Sequence, residues 1–340
     1  MKKTNKIFKK IVRSAILLVL LATTGAAYYA YRPMQLPVTP FEFELKQGAN
    51  LKGMAHQLSQ AGLLEHEWAF VWLTRLLGKS SEIKAGYYAL QRPVSPMELL
   101  EIFHRGEVVQ RNLSIIEGWT FKQFRAALNA NPDLQHVTLD LTDAEILQRI
   151  GATETHPEGL FFPDTYRFAA GSRDLVIFER AYMNMQGRLN AAWELRDHDL
   201  PLHTPYQALI LASIVEKETG TASDRHMIAG VFINRLRKGM RLQTDPTVIY
   251  GIGDKFDGNL RKRDLLADTP YNTYTRHGLT PTPISLPGNA ALHAALHPAQ
   301  TDALYFVARG DGSSHFSSSL VSHNRAVDQF QKRRKPKIQP

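Results

Sequence analysis

The sequence predicts an α+β protein carried behind one N-terminal membrane-spanning helix. Three observations predict it. An uncharged apolar run lies near the N-terminus, a strand–turn–helix pattern occurs twice, and the second half alternates helices with short strands and Gly or Pro turns. At 340 residues there is room for two modest cores. With 44% hydrophobic and 9% aromatic residues, the chain can fill them.

The membrane helix is read from "SAILLVLLATTGAAYYAY", residues 14–31, which holds no charge. Eighteen residues at about 1.5 Å each span roughly 27 Å, close to a hydrocarbon core. The basic segment 1–13 ahead of it contains Lys2, Lys3, Lys6, Lys9, Lys10 and Arg13 and no acid. That asymmetry predicts a cytoplasmic N-terminus and a body outside the cytoplasm. Tyr28, Tyr29 and Tyr31 suit the far interface, and Arg32-Pro33 ends the span. A cleaved signal peptide, cut near Gly25 to Ala27, is the alternative. The apolar run continues through the tyrosines past that cut, which favours an uncut anchor.

Net charge is +9, yet five further cations sit in the tail from Lys332 to Lys337. Without those eleven terminal residues the body carries 30 basic against 32 acidic residues. A basic nucleic-acid face is therefore excluded outside the two ends, and no nucleic-acid partner is expected. The absence of cysteine excludes disulfides, thiolate chemistry and lipoprotein attachment.

After a proline-rich stretch, 32–40, read as an extended linker, the repeat begins. "FEFELKQGANLKGMAHQL" matches "RNLSIIEGWTFKQFRAAL" at an offset of seventy. Phe43 pairs with Leu113, Leu45 with Ile115, Gly48 with Gly118, Leu51 with Phe121, Met54 with Phe124, and Leu58 with Leu128. Each copy alternates like a strand, turns at its glycine and then takes helical spacing. The first copy continues through a helix in "EHEWAFVWLTRLLG", a strand "GYYAL" and a helix "SPMELLEIFHRG". That last helix has Ser95 as N-cap, Pro96 in its first turn and Gly106 beyond its end. The arrangement resembles a LysM-like module, a fold used to hold glycan chains. A spacer lifting the rest off the membrane accounts for it equally well.

Further helices are predicted over 174–190, 205–219, 224–238 and 289–297, with a hairpin around "ALYFVARGDGSSHF". The helix from Pro205 has Thr204 as N-cap, Gln207 to complete a capping box and Gly220 as its stop. Its end reads "SIVEKETG". At 100° per residue Glu218 shares a face with Leu211, Ile214 and Val215, while Glu216 points about 160° away. The two carboxylates therefore cannot form one paired site. Glu218 lies on the bulkier apolar face and in the last turn, where the macrodipole is negative. Both effects raise its pKa and fit it to donate a proton near neutral pH. A solvated helix end is the plain alternative from spacing alone.

Downstream, "VFINRLRKGMRLQTDPTVIYG" places Asn234 and Arg235 late in a helix, then Gln243, Thr244 and Asp245 at the start of another, with Asp245 as its cap. A loop rich in hydroxyls and rings, "TPYNTYTRHGLTPTPISLPG", offers Asn272 and Tyr274. From Phe41 to about Phe330 the chain resembles the endolytic murein transglycosylases of the YceG-like (MltG) family. The stretches that carry the resemblance are "EGLFFPDTYRF", "LASIVEKETG", "VFINRLRKGMRLQTDPTVIYG", "YNTYTRHGL" and "LYFVARGDGSSHF".

The resemblance implies a lyase that cuts peptidoglycan glycan between N-acetylmuramic acid and N-acetylglucosamine, leaving 1,6-anhydro ends. It implies Glu218 as the acid/base, with no cofactor and no metal. Gln243, Thr244 and Asp245 would shape the cleft, and Asn272 and Tyr274 would contact sugar. It implies glycan-polymerising synthases (penicillin-binding proteins) as partners and strand termination at a bacterial inner membrane as the setting. The expected division is 41–110 for the LysM-like module, 111–155 for the second repeat, 156–331 for the catalytic domain and 332–340 for a basic tail. Glu158 and Asp164 read as turn-fixing more than cleft-lining residues. A non-catalytic wall-binding scaffold that recruits synthases, or a hydrolase leaving reducing ends, are the competing readings.

"HAALH" sets His293 and His297 at metal-ligand spacing but lacks the glutamate of the zinc-protease pattern. "GDGSSHF" lacks phosphate-loop spacing and reads as a hairpin turn. No stretch resembles a nucleophile elbow.

Overall fold

The structure is a computed structural model that describes residues 2–45, 50–80, 82–218 and 221–332. The predicted turn at Gly48, the helix stop at Gly220 and the basic tail lie outside the described residues. Contacts divide the chain into two compact units, Met1–Arg111 with Arg167–Ser172, and Asn112–Tyr166 with Arg173–Pro340.

The first unit opens with α1 (Lys2–Tyr31), a helix that runs back through the basic segment. Its stretch Ile7–Tyr31 has mean hydropathy 1.7, long and apolar enough to cross a membrane. This suggests a membrane anchor. There follow β1 (Phe41–Leu45), α2 (Leu51–Gln60), α3 (Glu67–Leu76), β2 (Gly86–Leu90) and α4 (Pro96–Arg105). β1 and β2 pair antiparallel, Phe41 opposite Leu90 and Leu45 opposite Gly86. Leu45, Leu58, Phe70, Tyr88, Leu99 and Phe103 are buried between this ribbon and the helices. The Tyr88 ring meets Phe103 at 4.9 Å, and its hydroxyl donates to the Lys84 carbonyl at 2.6 Å. α4 shows the predicted cap. Ser95 and Glu98 form a reciprocal box, and Gly106 stops the helix at φ 68°. The segment predicted as an extended linker is fastened to the core. Met34 N–H donates to Val94 O at 2.9 Å, and Met34 and Leu36 pack against the core.

The second unit takes up the chain within β3 (Gln110–Ser114) and continues through α5 (Phe121–Asn129), β4 (Leu134–Gln135) and α6 (Asp143–Arg149). The repeat is visible here, because β3 and α5 stand close to seventy residues after β1 and α2. Leu45 and Ile115, Met54 and Phe124, and Leu58 and Leu128 are buried in their own cores. Beyond β5 (Thr165–Ala169) and β6 (Ser172–Arg173) comes α7 (Leu175–Glu194). Phe124 meets Phe178 at 5.0 Å, and Phe161 meets Phe121 at 5.3 Å and Phe178 at 5.6 Å. This shared aromatic core is why the second repeat groups with the later helices.

The remaining elements are α8 (Pro205–Glu218), α9 (Ala222–Arg237), α10 (Asp245–Ile252), α11 (Lys262–Leu266), α12 (Asn289–Leu296), β7 (Tyr305–Ala308), β8 (Ser314–Ser317) and α13 (Leu320–Val327). α8 is the hub and meets α7, α9, α10 and α12. Every residue from Ala208 to Val215 is buried. Its N-terminus departs from the expected box. Thr204 Oγ1 accepts from Gln207 N–H at 3.2 Å, but the Gln207 side chain accepts from His203 N–H at 2.7 Å. β7 and β8 form the expected hairpin, Tyr305 opposite Ser317.

Gly159, in "EGLFFPD", adopts φ 80°, and a Cβ there would stand 2.4 Å from Pro283 Cβ. Positive φ costs a non-glycine residue about 1–3 kcal/mol before any clash. Gly159→Ala should therefore lower stability by at least ~2 kcal/mol, read as a drop in denaturation midpoint with the m-value unchanged.

Candidate active site

The candidate acid ends α8. Glu218 is partly buried, and Thr244 Oγ1 donates to its Oε1. Thr244 is buried in the connection between α9 and α10, and its N–H donates to Thr273 Oγ1 at 3.1 Å. Thr247 Oγ1 lies 2.9 Å from the same Thr273 hydroxyl, and Gln243 N–H donates to Thr273 O at 3.1 Å. The loops around 244 and 273 are thus stitched together directly beside Glu218.

Four influences set the proton affinity of that carboxyl. Desolvation is the largest influence and raises the pKa of Glu218, the Thr244 hydrogen bond lowers it, Asp245 raises it and Arg235 lowers it. The net direction is up. Arg235 is buried and locked in place. Its Nε donates to Leu304 O at 2.7 Å, its Nη1 to Leu242 O at 2.6 Å, and its guanidinium lies 5.3 Å from the Tyr305 ring centre. The neighbouring Asn234 donates to Thr301 O and Ala303 O. Both residues fasten neighbouring chain segments to the end of α9, and Arg235 also brings a positive charge near Glu218.

A hydroxyl partner suits a group that changes protonation. Thr244 Oγ1 donates to a carboxylate and, by rotating, accepts from a carboxylic acid, whereas a backbone N–H only donates. Two neighbouring glutamates have backbone donors instead. Glu216 Oε2 accepts from Gly288 N–H at 2.9 Å, ahead of α12. Glu158 Oε1 accepts from Phe121 N–H at 2.9 Å, and its Oε2 accepts from Tyr250 OH at 3.1 Å. Burial pushes the Glu158 carboxyl up to about 7 against the hydrogen bonds it accepts.

The apolar-face argument for Glu218 needs correction. Leu209, Ala212 and Ser213, on the Glu216 side, are as buried as Leu211 and Ile214. α8 is enclosed all round, so the two glutamates differ in what each meets and not in the bulk of their faces.

The other predicted residues separate by exposure. Gln243 is exposed and takes φ 48°. Asp245 is exposed and does not cap α10 as expected, since its Oδ1 accepts from Tyr274 OH at 2.6 Å. Tyr274 is half-buried, with a hydroxyl pKa raised by burial and then by Asp245. Asn272 is fully buried, donating from Nδ2 to Asp264 O, Leu265 O and Ala267 O and accepting from Tyr274 N–H. Its amide is used within the loop, so it positions Tyr274 instead of offering a free group outward. Asp164 accepts from the adjacent Thr165 N–H, a local turn contact. Thr273 escaped the sequence reading. A threonine 29 positions from Thr244 carries no local signal of that pairing.

His293 and His297 do sit ring to ring at 4.6 Å, but His297 Nδ1 pairs with Asp197 Oδ1 at 2.9 Å. Among the described residues no group of three or more candidate ligands is placed to hold a metal.

Comparison with known proteins gives the family. The YceG-like family model matches residues 43–329. A Bacillus subtilis (strain 168) protein named endolytic murein transglycosylase is 30% identical over 330 residues, 90% of each chain. A Streptococcus pneumoniae (D39) protein of the same name is 27% identical over 93% of this chain, which spans 64% of that relative's length. The 2.6 Å crystal structure of a YceG-like protein from Listeria monocytogenes superposes with a TM-score of 0.55 at 29% identity, covering 84% of this chain and 97% of that one. The chain belongs to the YceG-like family.

Glu158 has a consequence for stability. Its folded pKa of about 7 exceeds its usual 4.5, so between those values the folded state holds a proton that the unfolded state has lost. Stability should fall as pH rises through that window, by up to about 3 kcal/mol, and level off above it. Glu158→Gln keeps both hydrogen-bonding positions and removes the titration. Calorimetric melting across pH 4.5 to about 7 should show a decline in the native protein that the variant largely loses.

Proposed function

We propose that this protein is an endolytic murein transglycosylase with Glu218 as its single acid/base. The observation that carries the proposal is a desolvated carboxyl held by a reorientable hydroxyl, in a chain whose relatives bear that name. The substrate is peptidoglycan glycan, cut within the strand between N-acetylmuramic acid and N-acetylglucosamine.

Glu218 begins protonated, as its raised pKa favours. It gives that proton to the glycosidic oxygen as the bond to the muramyl C1 breaks, and N-acetylglucosamine leaves as an alcohol. The resulting carboxylate, now accepting from Thr244, removes the proton from the muramyl C6 hydroxyl. The C6 oxygen bonds to C1 and closes the 1,6-anhydro ring. Glu218 ends protonated again and no water is consumed. Because the nucleophile belongs to the sugar, the second carboxylate of ordinary glycosidases is unnecessary. Gln243, Asp245 and Tyr274 are the proposed sugar-facing groups, with Thr244 orienting the acid and Asn272 holding the loop.

On this reading α1 is an uncut, single-pass anchor with a cytoplasmic N-terminus, and both units face the cell wall. Cleavage of nascent strands would end their elongation beside the penicillin-binding synthases. The β1–α2–α3–β2 order supports a LysM-like module in the first unit.

The test is digestion of purified sacculi by the detergent-solubilised full chain, followed by mass analysis. Anhydromuramyl ends support the proposal. Reducing ends, one water heavier, would make the protein a hydrolase, and intact glycan retained without cleavage would make it a binder. Glu218→Gln should lower the rate by about 10²–10⁴-fold. Glu216→Gln, which keeps an oxygen for Gly288 N–H, should leave it near the native value. The rate should fall as pH rises through the Glu218 pKa, because the acid form starts the reaction. Thr244→Val removes a donor that favours the carboxylate, so the pKa rises further and the falling limb should move to higher pH. A limb that stays in place would show that the titrating group is not Glu218.

A further inference from the structure

The first unit carries an apolar stripe that its core does not use. On α3, Phe70, Val71 and Thr74 face inward, whereas Trp68, Trp72 and Leu76 stand 68%, 66% and 81% exposed. Positions 68, 72 and 76 fall on one line along the helix. Two tryptophans presented to water on one helix mark a contact surface. Beside them runs a groove of about 610 Å³ between α2 and α3, lined also by Lys52, Arg75, Glu65 and Glu67.

The stripe begins where α1 ends. Ala30 is buried, unlike the rest of the apolar run, and α1 meets α4. Tyr28, Tyr29 and Arg32 line a cavity of about 600 Å³ together with the segment from Gly62 to His66, which leads directly into α3. His66 stacks with Trp68, ring centres 6.3 Å apart. The Met34–Val94 hydrogen bond fastens the intervening chain. α3 is therefore tied to the outer end of the apolar helix and not carried off on a free linker.

We propose that α3 lies in the headgroup layer of the bilayer that α1 crosses, with Trp68, Trp72 and Leu76 dipped into it. The inference rests on the anchor reading above. Tryptophan is the residue most suited to that layer, its ring apolar and its N–H wet. An amphipathic helix with tryptophan and leucine on one face and cations beside it is the form that lies in the interface. Lys52 and Arg75 match lipid phosphate, and Glu65 matches the ammonium of phosphatidylethanolamine. A glycan strand is the competing occupant, since sugars stack on tryptophan. The stripe's continuation to Leu76 favours acyl chains, because an aliphatic side chain offers a sugar neither a flat ring nor a hydrogen bond.

The full chain, reconstituted in vesicles of phosphatidylethanolamine and phosphatidylglycerol, provides the test. Lipids brominated near the headgroup end of the acyl chain quench tryptophans that reach them. Native protein should be quenched, and the Trp68→Phe/Trp72→Phe variant, left with Trp119 and Trp193, should lose most of that quenching. These positions are exposed, so the variant should melt like the native protein. Equal fractional quenching in both proteins, with the chain resisting alkaline carbonate extraction, would overturn the inference and leave the anchor standing. A chain that washes off in carbonate removes the anchor and the inference together. Emission that responds to soluble glycan strands and not to bromolipid would assign the groove to sugar and overturn the inference.

Discussion

The enclosure of α8 is the constraint on which the rest of the site depends. From Ala208 to Val215 no residue of that helix reaches solvent, so it cannot slide or turn without opening cavities that cost several kcal/mol. Its one buried hydroxyl is satisfied twice. Ser213 Oγ donates to Ile210 O at 2.7 Å and accepts from Ile284 N–H at 3.0 Å, and its carbonyl accepts from Ser285 Oγ at 3.1 Å. Packing and hydrogen bonds thus fix where the helix ends, and with it the carboxyl of Glu218. Partial burial at the helix end then raises the pKa of that carboxyl, with Thr244, Asp245 and Arg235 as its local modifiers.

Three glutamates in the second unit show how environment separates residues of identical chemistry. Glu158 and Glu216 each accept from a backbone N–H, and the contact ties distant segments together. Protonating either one leaves a main-chain donor with a poorer acceptor, which suits a structural fastening. Glu218 faces a hydroxyl that reverses its role at little cost. That difference, more than the size of any pKa shift, separates the proposed acid from its neighbours. Glu158 is instructive because its pKa is also raised, to about 7, while both its oxygens are engaged inside the fold. A displaced pKa alone does not mark an active site.

The loops that complete the site are built from short polar side chains. Thr244, Thr247 and Thr273 share hydrogen bonds, and Asn272 gathers three carbonyls of the segment around α11. The hairpin is fastened nearby. Thr221, three residues beyond Glu218, donates to Gly312 O at 2.7 Å, and Asp224 accepts from Ser314 N–H at 2.6 Å. At the other end of the chain, the first unit is bound to the foot of α1 by Met34 and Ala30, so its surface goes where that helix goes.

Local patterns alone determined much of this protein. The helices from Pro96, Pro205 and Asn289, the strands of the ribbon and hairpin, the repeat at offset seventy and the divergence of Glu216 from Glu218 follow from periodicity and capping residues, because these interactions act within a few positions along the chain. Tertiary structure decided what such spacing cannot encode. It enclosed α8 on both faces, turned Asn272 inward, gave Asp245 to Tyr274 instead of a helix cap, and drew Met34 and Leu36 of the extended linker onto a core. It also joined Thr244 to Thr273 and set Arg235 near Glu218. Each of these outcomes depends on a partner many residues away, and burial and charge depend on everything that packs around a group, whichever part of the chain supplies it.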